Sequence, residues 1–333
     1  MALLVHDLCG FLADPLDIPA YSLDSVTADR TSKDNNQSQD QKQFHYHLPR
    51  LSFLDRPIRQ DSKMFAKISF MLTVLYNMKV ASFNVNSLRA RLDIVLAWLS
   101  KHQPDILCVQ ETKVQDSDFP ADQFADLGYN YVFKGQKSYN GVATFSKSPI
   151  TGVKFGFDDE PQDQPRLIKA EINGIAIVNT YVPQGYSPDS EKFQYKLAWF
   201  DRLLTFFKKN FQPKEPVLWV GDFNVAPQPI DVYDPEALLG HVCFRPEVHK
   251  ALEAVMKWGF VDLFRMHCGE PGQYTFWDYR LPNSLKRNLG WRLDHIMATK
   301  PLAEKCSACY IDKEPRAAEK PSDHTPIIAE FDW

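Results

Sequence analysis

The sequence predicts an α/β fold in which two mixed β-sheets pack face to face and helices cover their outer surfaces. Three features carry that expectation. From Met78 onward, buried-strand patterns alternate with amphipathic helical ones. No internal repeat or flexible linker interrupts residues 78–333, so one large domain accommodates them. Apolar strands also end, again and again, on a carboxylate, amide or imidazole, and loops at strand ends are where sites are usually built on a rigid scaffold.

Taken in order, Val80-Ala81-Ser82-Phe83 reads as a buried strand, and 88–99 follows with apolar spacing near 3.6. Ile106-Leu107-Cys108-Val109 is a second buried strand. Further strands are predicted at 130–134, 142–146, 166–171 and 175–181. Phe193, Leu197, Phe200, Leu203, Leu204 and Phe207 recur at helical spacing and predict a long amphipathic helix over 190–210. A strand at 217–221 runs into Gly221-Asp222-Phe223-Asn224, a helix follows near 247–257, and strands close the chain near 293–298, 307–311 and 326–331.

Upstream the character differs. Residues 22–50 are polar, with the run Asp34-Asn35-Asn36-Gln37-Ser38-Gln39-Asp40, and hold too few apolar side chains to offset the entropy of ordering. The apolar run at 64–77, which includes Phe65, Ile68, Phe70, Met71, Leu72, Val74 and Leu75, is shorter than the about 20 residues of a membrane span. It also lacks the small-residue cleavage site of a signal peptide. Residues 1–77 are therefore expected to be a poorly ordered leader or an over-extended start, with the folded domain at 78–333.

The formal charge of −4 gives no global cationic field, so any nucleic-acid contact must come from a local basic and aromatic patch. The six cysteines, at 9, 108, 243, 268, 306 and 309, are mostly isolated in apolar settings. That usage fits a reducing compartment, the cytoplasm, better than a disulfide framework. Cys306 and Cys309 form a lone CxxC with no second pair to complete a zinc site.

Six strand ends pool polar groups. They are Asn84 and Asn86 after the first strand, Gln110-Glu111-Thr112 after the second, and Tyr181 with Gln184 after a third. Asp222 and Asn224 end a fourth, Asp294-His295 opens a fifth, and Ser322-Asp323-His324 precedes the last. Singly, Asp or Asn at such a place is more often a turn former or helix cap. Together they form a pool of acid, amide and imidazole groups at strand ends.

The segments SFNVNSLRAR (82–91), QET (110–112), NTYVPQG (179–185), GDFNVAP (221–227), YTFWDYR (274–280), WRLDHI (291–296) and PSDHTP (321–326) occur in one order along the chain. In them, residues 78–333 resemble the exonuclease III family of apurinic/apyrimidinic endonucleases, within the endonuclease/exonuclease/phosphatase superfamily. The resemblance implies a four-layer α/β sandwich. It also implies a metal-dependent DNA phosphodiester hydrolase of base excision repair that cleaves 5′ to abasic sites, with 3′ end processing or 3′→5′ exonuclease activity.

Phosphodiester hydrolysis needs an activated water and positive charge on the developing oxygens. Hard oxygen ligands suit Mg²⁺ or Mn²⁺. By resemblance Glu111 is the principal metal ligand, helped by Asn86 and Asp323, with Asp222, Asn224 and His324 bordering the ion as further candidate ligands. Asp222 orients or deprotonates the attacking water, Asn84 holds Asp222, and Asn224 donates to the phosphate. His324 touches a phosphate oxygen while Asp294 fixes its tautomer and favours its charged form. Tyr181 bonds the phosphate and stabilises the leaving oxygen.

Phe276 and Trp291 match family positions lining a pocket for an extruded baseless sugar, a pocket that spares the cost of unstacking a base. Trp277, Arg89, Gln184 and Asn140 are further candidates for DNA contact, whereas Tyr274 is assigned to the core. Arg91, Lys113, Lys137, Arg280, Lys286 and Arg287 are basic positions for phosphates, each equally readable as a solvated surface charge. His295 stands where many relatives carry an aromatic or apolar residue. The implied partner is double-stranded DNA with abasic sites or blocked 3′ ends, with no membrane, no obligate protein partner and a monomeric enzyme.

Two other readings have distinct signatures. A phosphatase or lipid phosphodiesterase of the same superfamily is disfavoured by the Phe276-Trp277 and Trp291-Asp294 segments. A non-catalytic nucleic-acid-binding regulator predicts gaps among the metal and water-activating residues, and the sequence has none.

Overall fold

Successive side chains on a strand point to opposite faces, and here both faces are apolar. On β1 (Asn77–Asn84), Met78 and Val80 face one way while Ala81 and Phe83 face the other. On β8 (Val217–Asp222), Leu218 and Val220 oppose Val217 and Trp219. Strands buried on both sides need cover on both sides, and that requirement produces four layers. The computed structural model describes residues 77–157, 159 and 163–332. Apart from Asn77, the expected leader lies outside the described residues.

The first sheet has the order β11-β12-β1-β2-β4-β3, built also from β2 (Ile106–Gln110), β3 (Asn130–Lys134), β4 (Val142–Ser146), β11 (Cys306–Ile311) and β12 (Ile327–Asp332). The second has the order β5-β6-β7-β8-β10-β9, with β5 (Thr151–Phe155), β6 (Leu167–Ile172), β7 (Ile175–Tyr181), β9 (Phe260–Asp262) and β10 (Asp294–Thr299). Each sheet is antiparallel except for one central parallel pair, β1 with β2 and β7 with β8. The inner faces meet in a shared core that includes Val80, Ile106, Ile177, Leu218, Val220, Ile296, Ile327 and Phe331. The outer face of the first sheet is covered by α1 (Leu92–His102), through Val95, Trp98 and Leu99, and by α2 (Ala121–Ala125), through Phe124. The second is covered by α3 (Glu191–Asn210) and α5 (Pro246–Met256). Ser190 caps α3 by accepting from the Phe193 amide at 3.2 Å, a contact typically worth about 1 kcal/mol. Short helices α4 (Pro235–Leu238), α6 (Leu263–His267) and α7 (Lys300–Ala303) fill the connections.

The two-sheet sandwich is as the sequence predicts. The first helix, however, starts at Leu92 rather than 88. The amides of Val85, Ser87 and Leu88 donate instead to the carbonyls of Gln110, Glu111 and Thr112, which draws 85–88 against the end of β2. Cys306 and Cys309 are buried, and burial pushes the Cys306 thiol up to about 11. Neither joins a potential metal-binding cluster among the described residues, and no described helix is long and apolar enough to cross a membrane.

Candidate active site

The parallel pairs place their carboxyl ends at one edge of the sandwich. Asn84 lies beside Gln110, and Asp222 lies between Tyr181 and Asp294. Gly221 makes the approach of β7 and β8 possible. It has φ +137, and a Cβ there would stand 1.9 Å from the Thr180 carbonyl oxygen. Gln110 Nε2 donates to Asn179 Oδ1 across the sheets at 2.8 Å, and Asn179 donates to the Ala143 carbonyl, also at 2.8 Å. This buried amide strut holds the two halves in register beneath the site.

Above it, Asn84 Nδ2 donates to Glu111 Oε1 and to Asp222 Oδ2, each at 2.9 Å. Asn84 therefore ties a carboxylate of one sheet to a carboxylate of the other. Asn224 donates to Asp222 through both its backbone amide (2.8 Å) and its side chain (3.1 Å), and its remaining amide proton goes to the Val182 carbonyl. Burial pushes the Asp222 carboxyl well above the usual carboxylate range; His324 opposes this, and the Asp294 and Glu111 charges add to it. Burial alone would lower His324, but Asp294, 2.7 Å from Nδ1, and Asp222, 3.9 Å from Nε2, outweigh it and raise the ring to about 10. As an imidazolium, His324 has two donors and no lone pair. It is a hydrogen-bond donor here, and its ring nitrogen also lies within 4.8 Å of the ligand atoms of Glu111 and Asp222. Both side-chain protons of Asn224 are thus committed, and its Oδ1 faces Cys243 Sγ at 4.0 Å.

Glu111 sits just past β2 with φ +51, beside Asn86 with φ +43. Asn86 Nδ2 donates to Asp323 Oδ1 at 2.9 Å, and Arg91 braces the loop through the Asn86 and Pro321 carbonyls. Burial works to raise Glu111, but the Lys113 ammonium, helped by Asn84 and His324, outweighs it and holds the carboxyl below its ordinary value. The donor set fits a hard divalent cation. Ligand atoms of Glu111 and Asp222 lie within 4.8 Å of each other, and Glu111 with Asn86 already cradles a positive charge, that of Lys113. Burial and the Glu111 charge raise Tyr181 well above the usual phenol value, so it stays protonated as a donor. Arg166 lies over its ring at 4.6 Å.

Glu111, Tyr181, Asn224, Asp323 and His324 open into a cleft of about 390 Å³ that is also lined by Phe276, Trp291, Leu293, His241, Gln184 and Tyr186. Phe276 meets His324 with ring centroids 4.9 Å apart and planes tilted by 56°, and the Phe276 and Trp291 backbones exchange both hydrogen bonds. Trp291 is only 6% exposed and packs into the core of the second sheet, so it is a cleft wall with a structural back. Trp277 is a correction. It is fully buried, with its indole donating to Asn288, and does not reach the cleft. Arg89 is exposed outside the cleft. Asn140 bonds Gln164 and lines a neighbouring groove beyond Tyr181, which Gln184 shares. His295 is buried and neutral, accepting from Arg292 at Nδ1 and donating to the Val225 carbonyl, and burial with the Arg292 charge lowers it to about 4.

Sequence reasoning missed Arg166, and also Lys196. The Lys196 ammonium is fully buried and donates to the Gln184, Asn224 and Val242 carbonyls at 3.1, 2.7 and 2.8 Å, joining three cleft loops. A lysine within an amphipathic helix reads as surface, and its one signal was its place on the apolar stripe beside Phe193 and Phe200.

A model of the Endonuclease/Exonuclease/phosphatase family matches residues 81–324. The chain is similar to exodeoxyribonuclease III of Haemophilus influenzae, with 35% identity over 267 residues that cover 76% of this chain and 100% of that protein. The structure of an AP endonuclease from Archaeoglobus fulgidus superposes with TM-score 0.76 and 51% identity, over 77% of this chain and 100% of that one. A 3′ phosphatase from Neisseria, solved bound to a product DNA hairpin, gives TM-score 0.75 and 38% identity, over 77% and 100% of the two chains.

Proposed function

The chain belongs to the endonuclease/exonuclease/phosphatase family, in its exonuclease III branch of AP endonucleases, and from that premise we propose that it cleaves double-stranded DNA 5′ to abasic sites and trims blocked 3′ ends. The reading assigns catalysis to residues 78–333 and describes a monomeric cytoplasmic enzyme. The observation that carries it is the tie between Asn84, Glu111 and Asp222 opposite the Asp294–His324 pair.

In this reading Glu111 and Asn86, with Asp323 behind them, would hold Mg²⁺ or Mn²⁺, which when bound supplies positive charge to the phosphate oxygens. Asp222 accepts the proton of the attacking water, a role suited to a buried carboxyl whose proton affinity is raised. Asn84 and Asn224 fix Asp222 Oδ2 and limit the angle from which water can approach. His324 points a charged Nε2–H at a non-bridging oxygen, and Asp294 keeps that proton in place. Tyr181, held protonated, donates to the phosphate on the leaving-group side. Phe276, Trp291 and Leu293 receive the baseless sugar against apolar walls. The test is a nicking assay on a duplex carrying one abasic site. Cleavage should require Mg²⁺ or Mn²⁺ and stop in EDTA, and intact duplex of the same sequence should stay uncut. Equal cutting of both duplexes would overturn the abasic-site assignment.

A further inference from the structure

Lys113 occupies a place that a surface salt bridge does not explain. Its Nζ lies 2.7 Å from Glu111 Oε2 and 2.5 Å from Asn86 Oδ1. The other Glu111 oxygen accepts from Asn84, and the Asn86 amide nitrogen is taken by Asp323. The ammonium therefore holds one Glu111 oxygen and the sole side-chain oxygen of Asn86, the atom through which an amide ligates a cation. Mg²⁺ binds oxygen at about 2.0–2.1 Å. An ion bonded to these same atoms would overlap the ammonium, so both cannot be seated together.

The main chain of Lys113 is pinned, with φ +52 and its amide donating to the Asn140 carbonyl at 2.8 Å. The side chain is 27% exposed and has open solvent to move into. Glu111 shares the cleft with Asp323 and has a ligand atom within 4.8 Å of one on Asp222, a repulsion that His324 offsets in part and Lys113 offsets further.

We propose that the Lys113 ammonium is the resident counter-ion of the metal seat, and that a divalent ion enters only as Lys113 swings off Glu111 and Asn86. The proposal rests on the reading of Glu111 and Asn86 as metal ligands. Its consequence is a built-in discount on metal affinity in the absence of DNA, since every binding event must first break the two lysine contacts. Once displaced, the ammonium stands at the rim of the cleft with its donors free for a phosphate oxygen.

The experiment is Mn²⁺ binding without DNA at pH 8, with free Mn²⁺ counted by electron paramagnetic resonance, for wild type, Lys113→Met and Glu111→Gln. Methionine keeps the length of the side chain and removes the charge. Lys113→Met should bind Mn²⁺ about tenfold more tightly, equivalent to about 1.4 kcal/mol. Its metal-free form should melt below wild type, and its melting temperature should rise further on adding Mn²⁺. Glu111→Gln should lose the site. If Lys113→Met binds no tighter than wild type while Glu111→Gln loses the metal, the counter-ion proposal is overturned and the metal reading stands. If Glu111→Gln binds Mn²⁺ as wild type does, the seat lies elsewhere and the reading of Glu111 falls, taking the proposal with it.

Discussion

His324 and Trp291 both wall the cleft, yet the physics assigns them different work. His324 is charged because Asp294 and Asp222 outweigh its burial, so its loss removes a donor aimed where charge grows. His324→Ala should slow cleavage of abasic DNA by roughly 100- to 1,000-fold, and should slow hydrolysis of a small activated phosphodiester by a similar factor. A loss confined to DNA would show that the ring acts in binding. Trp291 has no charge to offer, and a stacking contact with nucleic acid is worth about 1–3 kcal/mol. Trp291→Ala should therefore weaken binding and cleavage of abasic DNA while sparing the small substrate. Because Trp291 is also part of a packed core, it should cost stability of up to about 3–5 kcal/mol as well. Melts recorded beside both assays separate the two effects, and equal damage to both substrates with an unchanged melt would sink the recognition role. The polar members of the site were legible because a carboxylate or amide closing an apolar strand is conspicuous in sequence. Trp277 was not. Nothing in its neighbourhood distinguishes an aromatic ring under the cleft from one inside it, since that is decided by chain brought in from far along the sequence: Lys313 over its ring at 5.9 Å and Arg316 on its carbonyl.

At the scale of elements, strands with strong period-2 or continuous apolar patterns were readable almost to the residue, as at 130–134, 142–146 and 175–181. β5 escaped because all five of its residues are exposed, which leaves no burial pattern for the sequence to record. β9 is only three residues long, too short for any periodicity to register. The late start of α1 was hidden for a different reason: the backbone pairing of 85–88 with the end of β2 is a tertiary event without a sequence signature. Gly221 marks where element geometry serves chemistry, since β8 must run hard against β7 to present Asp222 beside Tyr181. Gly221→Ala should cost at least about 2 kcal/mol, from a disfavoured φ and a methyl forced onto a backbone oxygen. It should also reduce cleavage by displacing Asp222. Urea unfolding and nicking rates would both register the change, and a variant of normal stability and rate would mean that the strands can part there without consequence.

The whole molecule divides the site between its two sheets, so the balance of buried charge that serves catalysis also shapes the stability of the fold. Two buried histidines act on it in opposite directions. His324 is held charged up to about 10, whereas an unfolded histidine titrates near 6.5. Its contribution is complete below the unfolded value and is lost as pH rises through the folded one. His295 does the reverse. Arg292 donates to its Nδ1, so the ring must stay neutral there, and burial with the Arg292 charge lowers it to about 4. Between about 6.5 and 4 the unfolded chain binds a proton that the folded protein refuses, and stability falls as the pH drops, by up to about 3 kcal/mol from this residue. The Arg292 guanidinium is itself fixed by Asp231 and Asp262, at 2.7 and 2.8 Å, and cannot move aside to admit a second positive charge. His295→Phe preserves the stacking on Phe223, where the rings lie 4.9 Å apart, but removes the titrating group. The variant should be less stable than wild type at pH 7, because Arg292 and the Val225 carbonyl each lose a partner. Its stability should nevertheless decline less steeply between pH 6.5 and 4, so that the two curves converge on the acid side. Urea unfolding at a series of pH values measures both the level and the slope. Parallel curves would place the acid sensitivity of the fold elsewhere and show that His295 accepts a proton without disturbing the Arg292 network.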